Sequence, residues 1–284
     1  MNTCFNHKRN MILFYALVVI LLLITLFPFI YTFSASFQSE LTIRSGESTL
    51  IPKTFTLDNY KELLSNKSGG SQAFSMYIFN SLKVAIGTGL LTIIVSVTAA
   101  YGLARFQFKG REVISRLMLF LYVFPTILSI YPIYSILSQV NLINTHAGLI
   151  LVHTTLVAPF CAWLLRSFFS AIPKEIEEAA RVDGANRLTI IVRILLPLSA
   201  PGLLAAGIYA MISSWGEFMF ASILIDSGTL RTIPVALAGF MSYGNQNWGL
   251  LLAGSILNVL PLLICFCPLL KTFLKGFTAG AVKG

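Results

Sequence analysis

Apolar residues fill this chain in long blocks separated by short polar stretches. No charged side chain occurs from Met11 to Ser39, from Leu117 to Val140 or from Trp248 to Leu270, and only the ambivalent His153 interrupts the run from Ala147 to Leu165. A helix needs about 20 apolar residues to cross a bilayer. Two further apolar blocks carry one ionisable residue each, Lys83 and Glu217. The pattern predicts six spanning helices, at 11–37, 77–104, 117–138, 147–169, 200–225 and 248–273. The first ends in Phe27, Pro28, Phe29, Tyr31 and Phe33, which suits an interfacial aromatic belt. Pro125, Pro132, Pro159, Pro261 and Pro268 fall inside apolar runs and read as kinks, which neighbouring helices make tolerable in lipid.

Composition agrees. The 284 residues are 56% hydrophobic and 11% charged, with mean hydropathy +0.80. A soluble domain carries about 25% charged residues. The net charge of +9 would suit a nucleic-acid binder, but the cations lie in short loops between apolar blocks, so topology explains them and no nucleic acid is expected. Lys8 and Arg9, then Arg105, Lys109, Arg111 and Arg116, then Arg166, Lys174, Arg181, Arg187 and Arg193, then Lys271, Lys275 and Lys283 share one side. The other side has only Arg44, Lys53, Lys61, Lys67 and Arg231. Positive residues stay inside, so both termini are expected in the cytoplasm, with 40–76, 139–146 and 226–247 outside. The first apolar run is too long for a signal peptide and reads as an uncleaved helix. Cys4, Cys161, Cys265 and Cys267 read as apolar filler, and no metal or cofactor is expected. Ser68-Gly69-Gly70-Ser71 marks a flexible stretch in the first outer loop.

One segment is unlike the rest. Residues 170–197, SAIPKEIEEAARVDGANRLTIIVRILLP, hold the densest charge in the chain. Pro173 suits a first-turn position, and the acids after it favour a helix N-terminus. Asp183-Gly184 stops that helix and Asn186 caps a second. The residues alone fit two readings: a compact knob for a partner surface, with Ala179 and Ala180 allowing close approach and Glu178 and Arg181 pairing at its edge, or an amphipathic helix on the bilayer.

Glu178-Ala179-Ala180, then Gly184, then Ile194-x-Leu196-Pro197 reproduce the signature loop of ABC importer permeases, including Asp183-Gly184-Ala185. Ser214 to Phe220 is similar to the Trp-Asn-Glu-Phe segment of the carbohydrate (maltose-type) branch, with Gly216 in place of Asn. The tail Gly276 to Gly284, Arg231-Thr232-Ile233-Pro234 and Asn247-Trp248-Gly249 resemble the same branch. The resemblance covers nearly the whole chain and is weakest over 40–76. It implies an all-α integral membrane protein with the type I importer permease fold, in the bacterial cytoplasmic membrane. It implies a segment 1–76 with the first helix and outer loop, and a core domain 77–284 with coupling loop 170–197 and tail 274–284. Glu178, Ala179, Ala180, Arg181, Asp183, Gly184, Ala185, Ile194, Leu196 and Pro197 would then dock an ATPase subunit. Thr278, Ala279, Gly280 and Ala281 would reach between two ATPases. The implied partners are two ATPase subunits, a second and different permease, an external solute-binding protein and membrane lipid.

Ionisable residues within spans are functional candidates by default. At about 1.5 Å rise per residue, Lys83 lies about 9 Å from the outer end of span two and Glu217 about 12 Å from that of span five. The two either pair at the outer mouth of the translocation path or snorkel separately. Trp215 and Phe218 could stack on a sugar ring or pack in the core. Thr88, Thr92 and Ser96 form a stripe that either lines a polar path or packs helices. There is no metalloprotease, nucleophile-elbow or phosphate-loop motif, so an enzyme is not expected and ATP hydrolysis falls to another subunit. An ion-coupled carrier would need more intramembrane acids than Glu217. Another importer branch, for peptides, amino acids or phosphate, shares the loop; the tail favours carbohydrate.

Overall fold

The computed structural model describes residues 2–65, 73–241 and 246–281, with side chains for residues 11, 13–65, 73–241 and 246–264. Every regular element among them is a helix. The first, α1 (Asn2–Ala35), carries Pro28 in its interior, and Thr32 Oγ1 donates to the Pro28 carbonyl at 2.8 Å. Two short helices follow: α2 (Glu40–Arg44), capped by Ser39, and α3 (Asp58–Leu64). Then α4 (Phe74–Arg105) runs unbroken for 32 residues. Gly110, at φ 91°, leads into α5 (Arg111–Val123). Pro125 steers Phe124 into extended backbone. A 3-10 turn (Thr126–Ser129) and α6 (Ile130–Gln139) follow, and this segment leaves α5 at 98°.

Thr145 caps α7 (His146–Ala171) by accepting from Gly148 N at 3.0 Å. Beyond Pro173 come α8 (Lys174–Val182), α9 (Arg187–Ile190), a π-helical turn (Ile191–Leu195) and α10 (Leu196–Leu198). The chain breaks at Ser199 and turns by 86° into α11 (Ala200–Trp215). The last helices are α12 (Met219–Leu224), α13 (Ile233–Gly239) and α14 (Trp248–Ala281).

The expected continuous helices at 117–138 and 200–225 are both broken. Pro125 divides the first by more than a kink, and the second stops at Trp215 and restarts at Met219. Leu13–Ala35, Phe74–Arg105 and His146–Ala171 are long and apolar enough to cross a membrane outright, and two bent pairs raise the number to five. The described apolar part of the last helix, Trp248–Ile264, is shorter.

The chain forms two compact units, residues 1–74 with 237–259, and 75–236 with 260–284. In the first, amides organise the loop after α1. Asn59 Nδ2 donates to the carbonyls of Ser36 and Gln38, each at 2.9 Å. Gln38 exchanges hydrogen bonds with the Thr49 backbone, and Phe37 stacks on Phe55 at 4.8 Å between ring centres. Glu40 Oε2 accepts from Gly249 N at 2.6 Å, at the start of α14. The flexible stretch expected at 68–71 lies outside the described residues.

In the second unit α7 packs against α5 and α11. Val97, Ala100, Tyr101 and Ala104 of α4 meet Val157, Cys161, Leu165 and Phe169 of α7 and Ala206 and Ala210 of α11. Small residues let these backbones approach, as membrane helix pairs require. A side chain at Gly202 would place its Cβ about 2.5 Å from the Phe168 ring. Val84, Leu149, Val152, Phe220 and Leu224 form a second cluster.

Candidate functional site

Two features of the second unit hold the residues the sequence singles out. The first is the helix–turn–helix α8–α9. Its turn is closed by a double C-cap: Gly184 N donates to the Arg181 carbonyl at 3.0 Å and Ala185 N to that of Ala180 at 2.9 Å. Gly184 sits at φ 85°, where a side chain would be strained although nothing stands near it. Asn186 Oδ1 then accepts from Thr189 N at 2.8 Å and starts α9. Glu178, Ala179, Arg181, Asp183, Gly184 and Pro197 are exposed. Ala180, Ala185, Ile194 and Leu196 are half-buried against the α4–α7–α11 core. The motif thus has an inner face that seats it and an outer face left open. Val182 and Leu188 stand 89% and 70% exposed beside the turn.

Sequence reading missed what fastens this knob. Arg105, the last residue of α4, donates through Nε to Glu177 Oε1, and its Nη2 donates to the Ile172 carbonyl at 3.1 Å. The two side chains are 6% and 2% exposed. A buried charge is tolerated when paired and hydrogen-bonded. Among the described residues Glu177 Oε2 accepts no hydrogen bond, and Arg181 Nη2 lies 3.8 Å from it. The Arg187 guanidinium sits 5.0 Å over the Phe106 ring. Glu177 follows Ile176 and precedes Glu178 in a run of acids, and only packing distinguishes it from its exposed neighbours.

The second feature is a pocket of about 210 Å³ lined by Thr126, His153, Ser213, Ser214, Glu217 and apolar Leu156, Val157 and Phe220. Glu217 Oε1 accepts from Phe220 N at 2.8 Å, and Oε2 accepts from Ala221 N at 3.0 Å, so the carboxylate caps α12. Oε2 also lies 3.0 Å from His153 Nε2, and His153 Nδ1 shares a hydrogen bond with Ser214 Oγ at 2.7 Å. Ser214 continues the chain to Thr88 on α4 at 3.2 Å. A carboxylate, an imidazole and hydroxyls therefore meet at one side of a small, mainly apolar cavity and satisfy one another there.

Of the two alternatives, the structure does not show the Lys83–Glu217 pair. Lys83 points outward and is exposed, while His153 and two amides occupy Glu217. Trp215 is 4% exposed and is core, whereas Phe218 is 46% exposed. Thr88, Thr92 and Ser96 are fully buried, so their stripe packs helices, Ser96 donating to the Ala158 carbonyl at 3.2 Å. His153 was legible as a lone ionisable group in an apolar run. Thr278, Ala279, Gly280 and Ala281 lie outside the residues with described side chains. Tyr122, Phe160 and Tyr209 form an aromatic cluster in the same unit, with Tyr122 and Phe160 stacked at 5.0 Å.

Residues 75–269 match the family model described as binding-protein-dependent transport system inner membrane component. The chain belongs to this family. It is 36% identical over 282 residues to the inner membrane ABC transporter permease protein YcjP of Escherichia coli, covering 98% of this chain and 99% of that protein. It is 35% identical over 267 residues to the trehalose/maltose transport system permease protein MalG of Thermococcus litoralis, 94% of each chain. The fold resembles a crystal structure of a bacterial ABC transporter involved in import of the acidic polysaccharide alginate, with TM-score 0.72, 24% identity and coverage of 92% and 95%. This member of the family is a multi-pass membrane protein with no strand among its described residues.

Proposed function

We propose that the chain is one permease subunit of an ATP-driven importer for a carbohydrate, an oligosaccharide or related sugar, with hydrolysis on separate subunits. The observation that carries this reading is the α8–α9 knob, seated by its inner face and open at Val182 and Leu188. An apolar tip rimmed by Glu178 and Arg181 suits a cleft on an ATPase better than water. The sugar assignment rests on the trehalose/maltose relative, with the pocket beside Glu217 as a candidate contact.

On this reading the chain crosses the bacterial cytoplasmic membrane six times, the bent pairs and α14 included, with both termini and the α8–α9 knob in the cytoplasm. Residues 1–76 carry the first helix and outer loop, and 77–284 carry the core with coupling loop 170–197 and tail 274–284. Glu178, Ala179, Ala180, Arg181, Asp183, Gly184 and Ala185 form the docking tip; Ile194, Leu196 and Pro197 join it to α11. Tail residues Thr278 to Ala281 contact the ATPases. Two ATPases, a second permease and a solute-binding protein complete the importer. Glu217, His153 and the exposed Phe218 line this subunit's share of the sugar path. Lys83, exposed on α4, lines the same path, and Trp215, buried two residues before Glu217, supports it from the core. The test is co-purification: the ATPase should follow wild type and be lost from Gly184→Val, with the permease still folded in the membrane. Equal retention by both would refute the docking role.

A further inference from the structure

We infer that Arg105 and Glu177 are positioning residues that fasten the knob to α4, and that α4 carries the knob's displacement to segment 229–233 through Asn80 and Ser81. This rests on the coupling role proposed for α8–α9.

The geometry has three parts. At one end, Arg105 grips the knob twice, at Glu177 and at the Ile172 carbonyl where α7 gives way to α8. Both charges are buried, so the grip cannot slip into water without exposing an unpaired ion to the interior. In the middle, α4 is an unbroken helix with no proline, unlike α7 and the bent pairs. From Asn80 to Arg105 it spans about 37 Å at about 1.5 Å per residue. At the far end, Asn80 Nδ2 donates to the carbonyls of Thr229 and Arg231, each at 2.9 Å. Ser81 Oγ accepts from Ile233 N at 2.8 Å. His146 Nε2 holds the same segment at the Leu230 carbonyl, 2.9 Å away.

An unbroken helix tied by polar bonds at both ends moves as one body, because sliding either end leaves the buried Asn80, Ser81 and Glu177 unpaired. The proposed topology puts 229–233 on the face that meets the binding protein and the knob on the face that meets the ATPase. Arg105–Glu177 and Asn80–Thr229/Arg231 are then the two couplings of one strut, neither touching sugar or nucleotide.

The test uses the complete importer in liposomes and reads ATP hydrolysis with and without sugar-loaded binding protein. Glu177→Gln and Asn80→Ala should each retain the ATPase and unstimulated hydrolysis, and each should lower the stimulation by at least about fivefold, the low end for coupling between sites. The double variant should lose no more than the worse single, since either break cuts the same strut. A purely structural role would lower thermal stability in detergent and leave the stimulation ratio alone. Unchanged stimulation in Glu177→Gln with the ATPase bound, or losses that multiply in the double variant, would overturn the inference. If Glu177→Gln does not assemble, Arg105→Lys, which keeps the charge and loses the two-pronged grip, is read by the same criterion; failure of both to assemble assigns the pair to folding and overturns it. If wild type itself holds no ATPase, the coupling role fails first and takes this inference with it.

Discussion

Nε2 of His153 lies 3.0 Å from Oε2 of Glu217, 64 residues further along the chain, and the same carboxylate holds the first amides of α12. One side chain thus restarts a broken helix and lines a pocket. A double-mutant cycle on His153 and Glu217 should show coupling of about 0.5–3 kcal/mol in thermal stability, the range for residues in one network. The Lys83/Glu217 cycle should be additive within about 0.5 kcal/mol.

Glu217→Ala should be more damaging than Glu217→Gln. The alanine leaves two α12 amides and the His153 ring without their acceptor, at about 1–3 kcal/mol per buried group. The glutamine retains an acceptor oxygen and should lose sugar uptake more than stability. Comparing detergent unfolding temperature with uptake rate for the two variants checks this.

The knob's turn depends on backbone, not on space. Gly184 has φ 85° and no neighbour a Cβ would strike. Gly184→Ala should cost about 1–2 kcal/mol locally, the penalty for left-handed backbone, and Gly184→Val more. Permease stability should change little while ATPase affinity falls. Titrating the ATPase onto detergent-solubilised variants measures it.

Two glycines in the spans should behave oppositely. A Cβ at Gly202 meets the Phe168 ring at 2.5 Å, whereas one at Gly102 meets nothing within 4 Å. Gly202→Ala should destabilise by about 1–3 kcal/mol through overpacking. Gly102→Ala should be neutral or slightly stabilising in a helix interior. Unfolding in detergent separates them.

Val182→Ser should leave the isolated permease unchanged, since the side chain is 89% exposed. If this residue enters an ATPase cleft, the loss should be about 1–2 kcal/mol of affinity. A binding isotherm with wild-type ATPase reads it.

The sequence spells out α4 and α7 because long apolar runs in lipid must be helical, and no break interrupts these two. The breaks at Pro125 and Gly216 were harder, because an apolar run reads the same whether straight or bent. Proline marked the first break, but not the size of the bend, which is 98°. At the second, Glu217 reads from the sequence as a candidate path residue; its task as a cap shows only once Phe220 and Ala221 present their amides. The knob was legible because turn chemistry is local: Asp183, Gly184 and Asn186 act within a few residues. Arg105 and Glu177 were not, since their meeting across 72 positions is set by packing of α4 against α7 and α8. The amide network around Asn59 hid for the same reason, inside a stretch that reads as a polar loop.

The most direct test of ATP-driven carbohydrate import is uptake of labelled maltose, trehalose and longer oligosaccharides into liposomes holding the complete importer. The account predicts accumulation of one of these sugars only with ATP inside and binding protein outside, and none when a proton or sodium gradient replaces ATP. Accumulation driven by an ion gradient without ATP would contradict it.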